Sequence, residues 1–282
     1  MLQIYLSLTY VAGENTFFKG VKKLLPGRYL IWQNGKMKIE RYWKPEFHPD
    51  ESKSLEDWAD EIHSTLKEIM PEVKTADEKA ESFLSGGVDS SYVLAMSDVK
   101  MSDSCGYDEA RFDESPLAKE TADILGRENS RCRITPEAYF DIVPWVMYNM
   151  EQPLGDASAI AFALGCRATA EHTDICYSGE GADEFFGGYN IYKEPDALRT
   201  VQKLFPKAVR KGMAAVVKAL PFKFKGKNYI IRCSKDLEVR FIGNAYMFTK
   251  EGREKILKHI SGKYTPMSLT KPVYDKVKDK DD

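Results

Sequence analysis

The chain has 282 residues, 43% of them hydrophobic, which is enough for one large domain, or a domain with a smaller companion, around a buried core. Lys and Arg total 41 against 43 Asp and Glu, and a formal charge of −2 gives no global reason to expect nucleic acid or a membrane surface as partner. Apolar runs are short and interrupted, and the N-terminus lacks a basic stretch followed by an apolar one, so no transmembrane segment or leader is expected and a cytoplasmic location is the natural reading. Cys105, Cys132, Cys166, Cys176 and Cys233 form no C-x-x-C pair and are odd in number, against both a zinc site and a disulfide framework.

In chain order, Leu2, Tyr5, Leu6 and Leu8 predict a short helix, and residues 27–32 and 37–43 predict two strands joined at Asn34-Gly35, a strong hairpin signal. A lone hairpin is marginal in water, so residues 1–48 must pack on something else. A second copy of the chain is one cover, which would make a homodimer. Ser54 and Asp57 form a capping-box-like start to an amphipathic helix marked by Leu55, Trp58, Ile62, Leu66 and Ile69, with Pro71 as its stop and a polar linker beyond. Ser102–Tyr107 is a strand candidate. A helix follows with Pro116 in its first turn and Gly126 past its end, and Thr135-Pro136 opens another, kinked or restarted at Pro144. Residues 158–171 read as an Ala-rich helix and 174–177 as a short buried strand. Strands alternating with helices indicate an α/β fold, a parallel sheet covered on both faces.

Two Gly-rich turns stand out on this scaffold. Ser85-Gly86-Gly87-Val88-Asp89-Ser90-Ser91 lies between Phe83-Leu84 and a helix-like run, so it reads as a strand-to-helix turn. Adjacent glycines permit close backbone approach, and a helix start aims N–H groups and a positive dipole end at an anion. Asp89 makes sense among phosphate-binding groups when Mg²⁺ joins the two, so the turn reads as a cradle for Mg²⁺ and pyrophosphate. A plain Ser/Gly turn with a capping Asp is the bland alternative. The second turn, residues 178–189, follows the 174–177 strand and places Glu180, Asp183 and Glu184 beside flexible backbone. In open parallel sheets both turns would lie at the carboxyl ends of strands, where ligands bind, with Asp183 as a second metal ligand. Residues 197–235 carry eleven Lys and Arg and no acid, and their helical apolar periodicity favours a solvated basic face over an RNA-binding arm. None of His48, His63, His172 and His259 neighbours a cluster of potential ligands in sequence, and the charged tail 271–282 reads as a frayed end.

SFLSGGVDSS at 82–91, FDESPLAKETADILG at 112–126, EQPLGDASA at 151–159 and YSGEGADEFFGGY at 177–189 together resemble the synthetase domain of glutamine-hydrolysing asparagine synthetases, the B type. Residues 5–32, followed by IERYW, look like the end of that family's glutaminase domain. The resemblance implies a Rossmann-like, adenine nucleotide alpha-hydrolase-like fold of the ATP pyrophosphatase type, with 1–50 a glutaminase remnant and linker and 51–282 a synthetase domain truncated at its C-terminus. It implies ATP and Mg²⁺ as cofactors, and aspartate, ATP and ammonia or glutamine as substrates. Carried over by position, Ser85, Gly86, Gly87, Asp89 and Ser90 would hold pyrophosphate, Asp89 and Asp183 the metal, and Leu84, Cys105, Ser178 and Gly179 the adenosine. Glu180 would be the catalytic carboxylate for acyl-adenylate formation.

The departures from the pattern are as definite. Leu2 stands where the family's glutaminase has its cysteine nucleophile, so glutamine hydrolysis is not expected of these residues. No match to the family's later helices, which carry a lysine that stabilises adenylation, is present, so the chain by itself is expected to be inactive. Ser102–Tyr107 is more polar than the family's second strand. A related amide- or β-lactam-forming synthetase with another carboxylate substrate, and a non-catalytic nucleotide-binding module, stand as alternatives.

Overall fold

A computed structural model describes residues 1–73, 79–242 and 246–277. In chain order it contains α1 (Leu2–Leu8), β1 (Arg28–Gln33), β2 (Lys36–Arg41), α2 (Leu55–Val73), β3 (Glu81–Phe83), α3 (Val88–Met96), β4 (Met101–Tyr107), α4 (Ser115–Ile124), β5 (Glu128–Ile134), α5 (Pro136–Asn149), α6 (Ser158–Thr169) and β6 (Cys176–Tyr177). There follow α7 (Ala182–Phe186), α8 (Glu194–Leu204), α9 (Lys207–Ala219), α10 (Lys227–Cys233), α11 (Leu237–Arg240), α12 (Lys250–Ile256) and α13 (Pro266–Val277). The chain divides into two compact units, one of Trp43–Glu151 and Asp156–Phe186, the other of Met1–Tyr42, Gln152–Gly155 and Gly187–Asp282.

The first unit holds a four-stranded parallel sheet in the order β5-β4-β3-β6, flanked by helices. Strand alternation sorts its residues onto two faces. Ala80 and Leu84 pack with Leu94 of α3 and Ala118 and Ala122 of α4 on one side. On the other, Cys105, Tyr107, Cys132 and Ile134 pack with Ile142 and Val146 of α5 and Ile160 and Leu164 of α6. The α/β architecture with both faces covered is thus as expected from the alternation of elements.

Local signals placed most of the helices. Ser54 Oγ accepts from the Asp57 amide at 3.1 Å while the Asp57 carboxylate accepts from the Ser54 amide at 2.9 Å, a reciprocal cap on α2. Thr135 Oγ1 accepts from the Ala138 amide at 3.2 Å and caps α5. Gly126 takes φ +65° just beyond α4. Pro71 does not stop α2, which continues to Val73, and α5 runs as one helix across Pro144 rather than restarting there. Ile142 and Val146, on either side of Pro144, are buried in one cluster, and that packing outweighs the lost backbone hydrogen bond. Part of the polar linker expected after Pro71 falls on 74–78, outside the described residues.

β5 escaped prediction because Glu128, Arg131 and Arg133 break any apolar alternation, as suits an edge strand that charge protects from mispairing. It also explains the polarity of β4. Ser102 Oγ donates to the Glu128 carbonyl at 2.9 Å, and Ser104 Oγ to the Ser130 carbonyl at 3.1 Å and to Asn129 Oδ1 at 3.2 Å. Buried hydroxyls are tolerated where partners are supplied, and β5 supplies them.

In the second unit α1 packs beside α13, with the amides of Met247 and Phe248 donating to the carbonyls of Ser7 and Leu6 at 2.9 and 3.1 Å. That answers what covers the N-terminal helix. The β1–β2 hairpin forms with Asn34 and Gly35 both at positive φ, and its Trp32, Met37 and Tyr42 are exposed. The basic stretch is helical, as its periodicity implied. Leu198, Ala214, Val217 and Cys233 are buried, while Arg210 donates to the Phe205 carbonyl at 2.9 Å and Lys227 to the Leu220 carbonyl at 2.7 Å. The predicted frayed tail is instead helical as far as Val277, with Lys271 paired to Asp275 at 2.9 Å, and residues 278–282 lie outside the description.

The unit's strongest polar node is Glu194, whose carboxylate takes Arg232 on one oxygen and Arg240 on the other at 2.9 Å, with the Arg240 side chain only 2% exposed. Burial opposes ionisation of Glu194, but the two guanidinium groups hold its carboxyl below the ordinary value. The contribution is therefore present above the ordinary carboxylate value and lost as pH falls through the depressed one. Glu194→Ala, which strands Arg240 in the interior, is expected to cost about 3–5 kcal/mol, read as a lowered midpoint in chemical denaturation.

Candidate functional site

Chain order and sheet order together locate the site. From β3 the chain moves outward to β4 and β5, then returns to place β6 on the other side of β3. The order reverses between β3 and β6, and in open α/β sheets the crevice beyond the carboxyl ends at such a reversal is where ligands bind. Both Gly-rich turns emerge there, one from β3 and the other from β6.

The first turn is held by its own hydroxyls. Ser90 Oγ accepts from the Ser85 amide at 3.1 Å and lies 3.1 Å from Ser85 Oγ, which accepts from the Gly87 amide at 3.2 Å. Gly86 takes φ +82°, and a Cβ there would come within 2.7 Å of Leu117 Cβ and 2.9 Å of the Ala118 nitrogen. The turn thus rests on the start of α4. Leu117 and Ala118, unremarkable in sequence, are what require glycine at 86. Asp89 sits in the first turn of α3, whose early N–H groups have no partner within the helix.

The second turn lies directly on the first. A Cβ at Gly179 would come within 2.8 Å of the Ser90 nitrogen and 2.9 Å of the Asp89 carbonyl carbon. Ser178 Oγ accepts from the Glu180 amide at 3.1 Å, Gly181 takes φ +95°, and Asp183 stands in the first turn of α7. The structure therefore brings Ser85, Gly86, Gly87, Asp89 and Ser90 together with Ser178, Gly179 and Glu180. Leu84, 2% exposed, anchors the first turn in the core, its amide donating to the Asp103 carbonyl at 2.8 Å. Cys105 is oriented differently. Its thiol donates to the Ala161 carbonyl of α6 at 3.6 Å, and burial, with smaller effects from Cys132 and Cys166, pushes it up to about 11.

Close by, Asp113 accepts from Ser115 Oγ at 2.7 Å and from Arg131 at 2.9 Å, which ties the segment before α4 to β5. The Ser115 hydroxyl, reinforced by Arg131, holds the Asp113 carboxyl below its ordinary value. Arg131 was not singled out in sequence because β5 itself was not. His172 also needs correction: it has no ligand-like neighbours in sequence, yet Glu81 and Asp103 come beside it in space.

The contact at Gly179 separates steric from conformational demand. Gly179→Ala must push backbone against backbone and is expected to speed hydrogen exchange at the amides of both turns. Gly181→Ala, with nothing within 4 Å of the added methyl, should carry only the left-handed backbone cost of about 1–2 kcal/mol and leave the 85–91 amides unchanged.

Comparison with known proteins identifies the family. The asparagine synthase family model matches residues 61–249. Asparagine synthetase [glutamine-hydrolyzing] 1 of Bacillus subtilis is 33% identical over 97% of this chain, and a Mycobacterium bovis protein provisionally named as a glutamine-hydrolysing asparagine synthetase is 31% identical over the same share. The amidase chyE of Penicillium rubens is 29% identical over 76% of the chain and 36% of its own length. The chain spans 44% and 43% of the lengths of the two bacterial relatives. With the family model matching well over half of its residues, the chain belongs to the asparagine synthase family.

Proposed function

We propose that the crevice between β3 and β6 is the site of an ATP-dependent, AMP-forming amide ligase, with aspartate as the carboxylate and ammonia as the nitrogen donor. The observation that carries this reading is the seating of Gly179 on the Asp89–Ser90 backbone, which brings together two turns of complementary chemistry. Among the described residues no helix is long and apolar enough to cross a membrane.

In this reading Ser85, Gly86, Gly87 and Ser90 bind the β- and γ-phosphates, the helix start of α3 contributing N–H groups and its dipole. Leu84, Ser178 and Gly179 line the adenosine. Cys105 contributes through its main chain, since its thiol is engaged with α6. Asp89 and Asp183 offer hard carboxylate oxygens in the first turns of two helices, a donor set that suits Mg²⁺. When bound, Mg²⁺ neutralises charge on the pyrophosphate. Glu180 orients the reacting carboxylate and ammonia.

The aspartate side-chain oxygen attacks the α-phosphorus, the bond to the β-phosphate oxygen breaks, and pyrophosphate leaves. Ammonia then attacks the acyl carbon, gives up a proton and expels AMP, leaving asparagine. Supply of ammonia from glutamine is read from the names of the longer relatives. Residues 1–50 are proposed as the end of a glutaminase domain and 51–282 as synthetase, a division supported by a family match that begins at 61.

Aspartate-dependent exchange of labelled pyrophosphate into ATP, measured on a version extended to the length of the bacterial relatives, tests the reading. Exchange with other carboxylates but not aspartate would remove the substrate assignment, and none with any carboxylate would remove the ligase. Asp89→Asn should abolish the Mg²⁺-dependent gain in ATP affinity measured by calorimetry. Glu180→Gln should keep ATP binding while lowering exchange by roughly 10²–10³, the usual cost of one well-placed polar group at such a transition state.

A further inference from the structure

Beneath α6 the same strands carry a second cluster that the ligase chemistry does not use. Glu81 opens β3 and Asp103 is the third residue of β4. On both strands the odd-numbered positions face α6: the Phe83 ring lies 5.1 Å from that of Phe162, and the Cys105 thiol reaches the Ala161 carbonyl. Glu81 and Asp103 are therefore turned toward the underside of a helix, at 6% and 7% exposure, where core side chains are the rule. One oxygen of each, Glu81 Oε2 and Asp103 Oδ2, has no hydrogen-bond partner among the described residues. Orphaned carboxylate oxygens at such depth are costly and call for an explanation.

His172, three residues past the end of α6, supplies one. A ring nitrogen and one oxygen from each carboxyl all lie within 4.8 Å of one another, and the imidazole is exposed. Thr169, 3% exposed, has an Oγ1 with no hydrogen-bond partner among the described residues. It lies one helical turn beyond Gly165, the residue that packs on the Cys105 thiol, and so comes on the same helix stripe near the level of Asp103.

We infer that Glu81, Asp103 and His172 form a binding site for a divalent transition-metal ion of the Zn²⁺ class. Two carboxylate oxygens and one imidazole are a mixed donor set that suits Zn²⁺ better than Mg²⁺ or Ca²⁺, which favour oxygen alone. Zn–O and Zn–N bonds of about 2.0–2.2 Å need the three atoms to close by roughly an ångström, and the exposed His172 ring can turn to do so. The fourth position opens to solvent on the His172 side. Four residues of strand at about 3.3 Å each put Glu81 roughly 13 Å from Ser85, and Asp103, in register with Phe83, turns its side chain under α6, so this ion lies beneath a face of the sheet and is distinct from the Mg²⁺ proposed at the carboxyl ends of the strands. Its role is structural, clasping the end of α6 to β3 and β4, and it does not rest on the ligase reading.

The test uses the full chain, stripped with chelator and kept in millimolar Mg²⁺ to fill hard-oxygen sites. Zn²⁺ calorimetry should give one site of micromolar or better affinity, and Co²⁺ should give the visible absorption of a four- or five-coordinate ion without thiolate charge transfer. His172→Ala changes an exposed side chain and should leave folding intact, weaken Zn²⁺ about tenfold or more and remove the Co²⁺ bands. Asp89→Asn should change neither. Glu81→Gln should behave as His172→Ala, and if it fails to fold, His172→Ala decides alone. Unchanged affinity in His172→Ala, thiolate bands, or a six-coordinate Co²⁺ spectrum would overturn the site and leave a buried carboxyl pair sharing a proton.

Discussion

Gly179 lying on the backbone of Asp89 and Ser90 is the contact on which the architecture of the candidate site depends. Backbone groups approach this closely only where a side chain is missing, and here one turn from β3 and one from β6 meet without a Cβ between them. The sheet makes the meeting possible by reversing its strand order between those strands. Gly86, pressed on the start of α4, extends the same logic to a third element, so the first turn is fixed from two sides before any ligand arrives. Such preorganisation is what a site needs if positioning and electrostatics are to supply most of its rate.

A second theme is how the sheet accommodates polarity. Even positions of β4 carry serines, and β5 answers them with carbonyls and Asn129. Odd positions carry Asp103, which with Glu81 sits under α6 and is not answered in the same way. Burial, then Asp103, push the Glu81 carboxyl up to about 8, the mark of two acids that cannot both ionise unaided. The same strands thus present an open polar crevice at their carboxyl ends and a buried acidic pair beneath α6.

Much of this is legible in the sequence. Ser54 with Asp57, Thr135 with Pro136, Asn34 with Gly35 and Pro116 with Gly126 carry local hydrogen-bonding or dihedral instructions, so the elements they start or stop fall where expected. The two Gly-rich turns were visible for the same reason, since glycine pairs beside acids and serines are conspicuous whatever surrounds them. Pro71 and Pro144 mislead because their local cost is smaller than the packing of the helices that contain them. β5 was invisible because Glu128, Arg131 and Arg133 interrupt it, and Cys132 and Ile134 are too few to set a period.

The chain by itself determined the α/β class, the places of the two turns and the family to which they belong, because each is written in contiguous residues. Tertiary structure alone decided that Gly179 must be glycine, that the Cys105 thiol faces α6, that α1 lies beside α13, and that His172 stands beside Glu81 and Asp103. These relations join distant residues, 91 positions apart for Glu81 and His172 and far more for α1 and α13, through strand register and helix packing. Local chemistry records what each segment prefers; which segments meet is settled only when their buried faces have been matched in space.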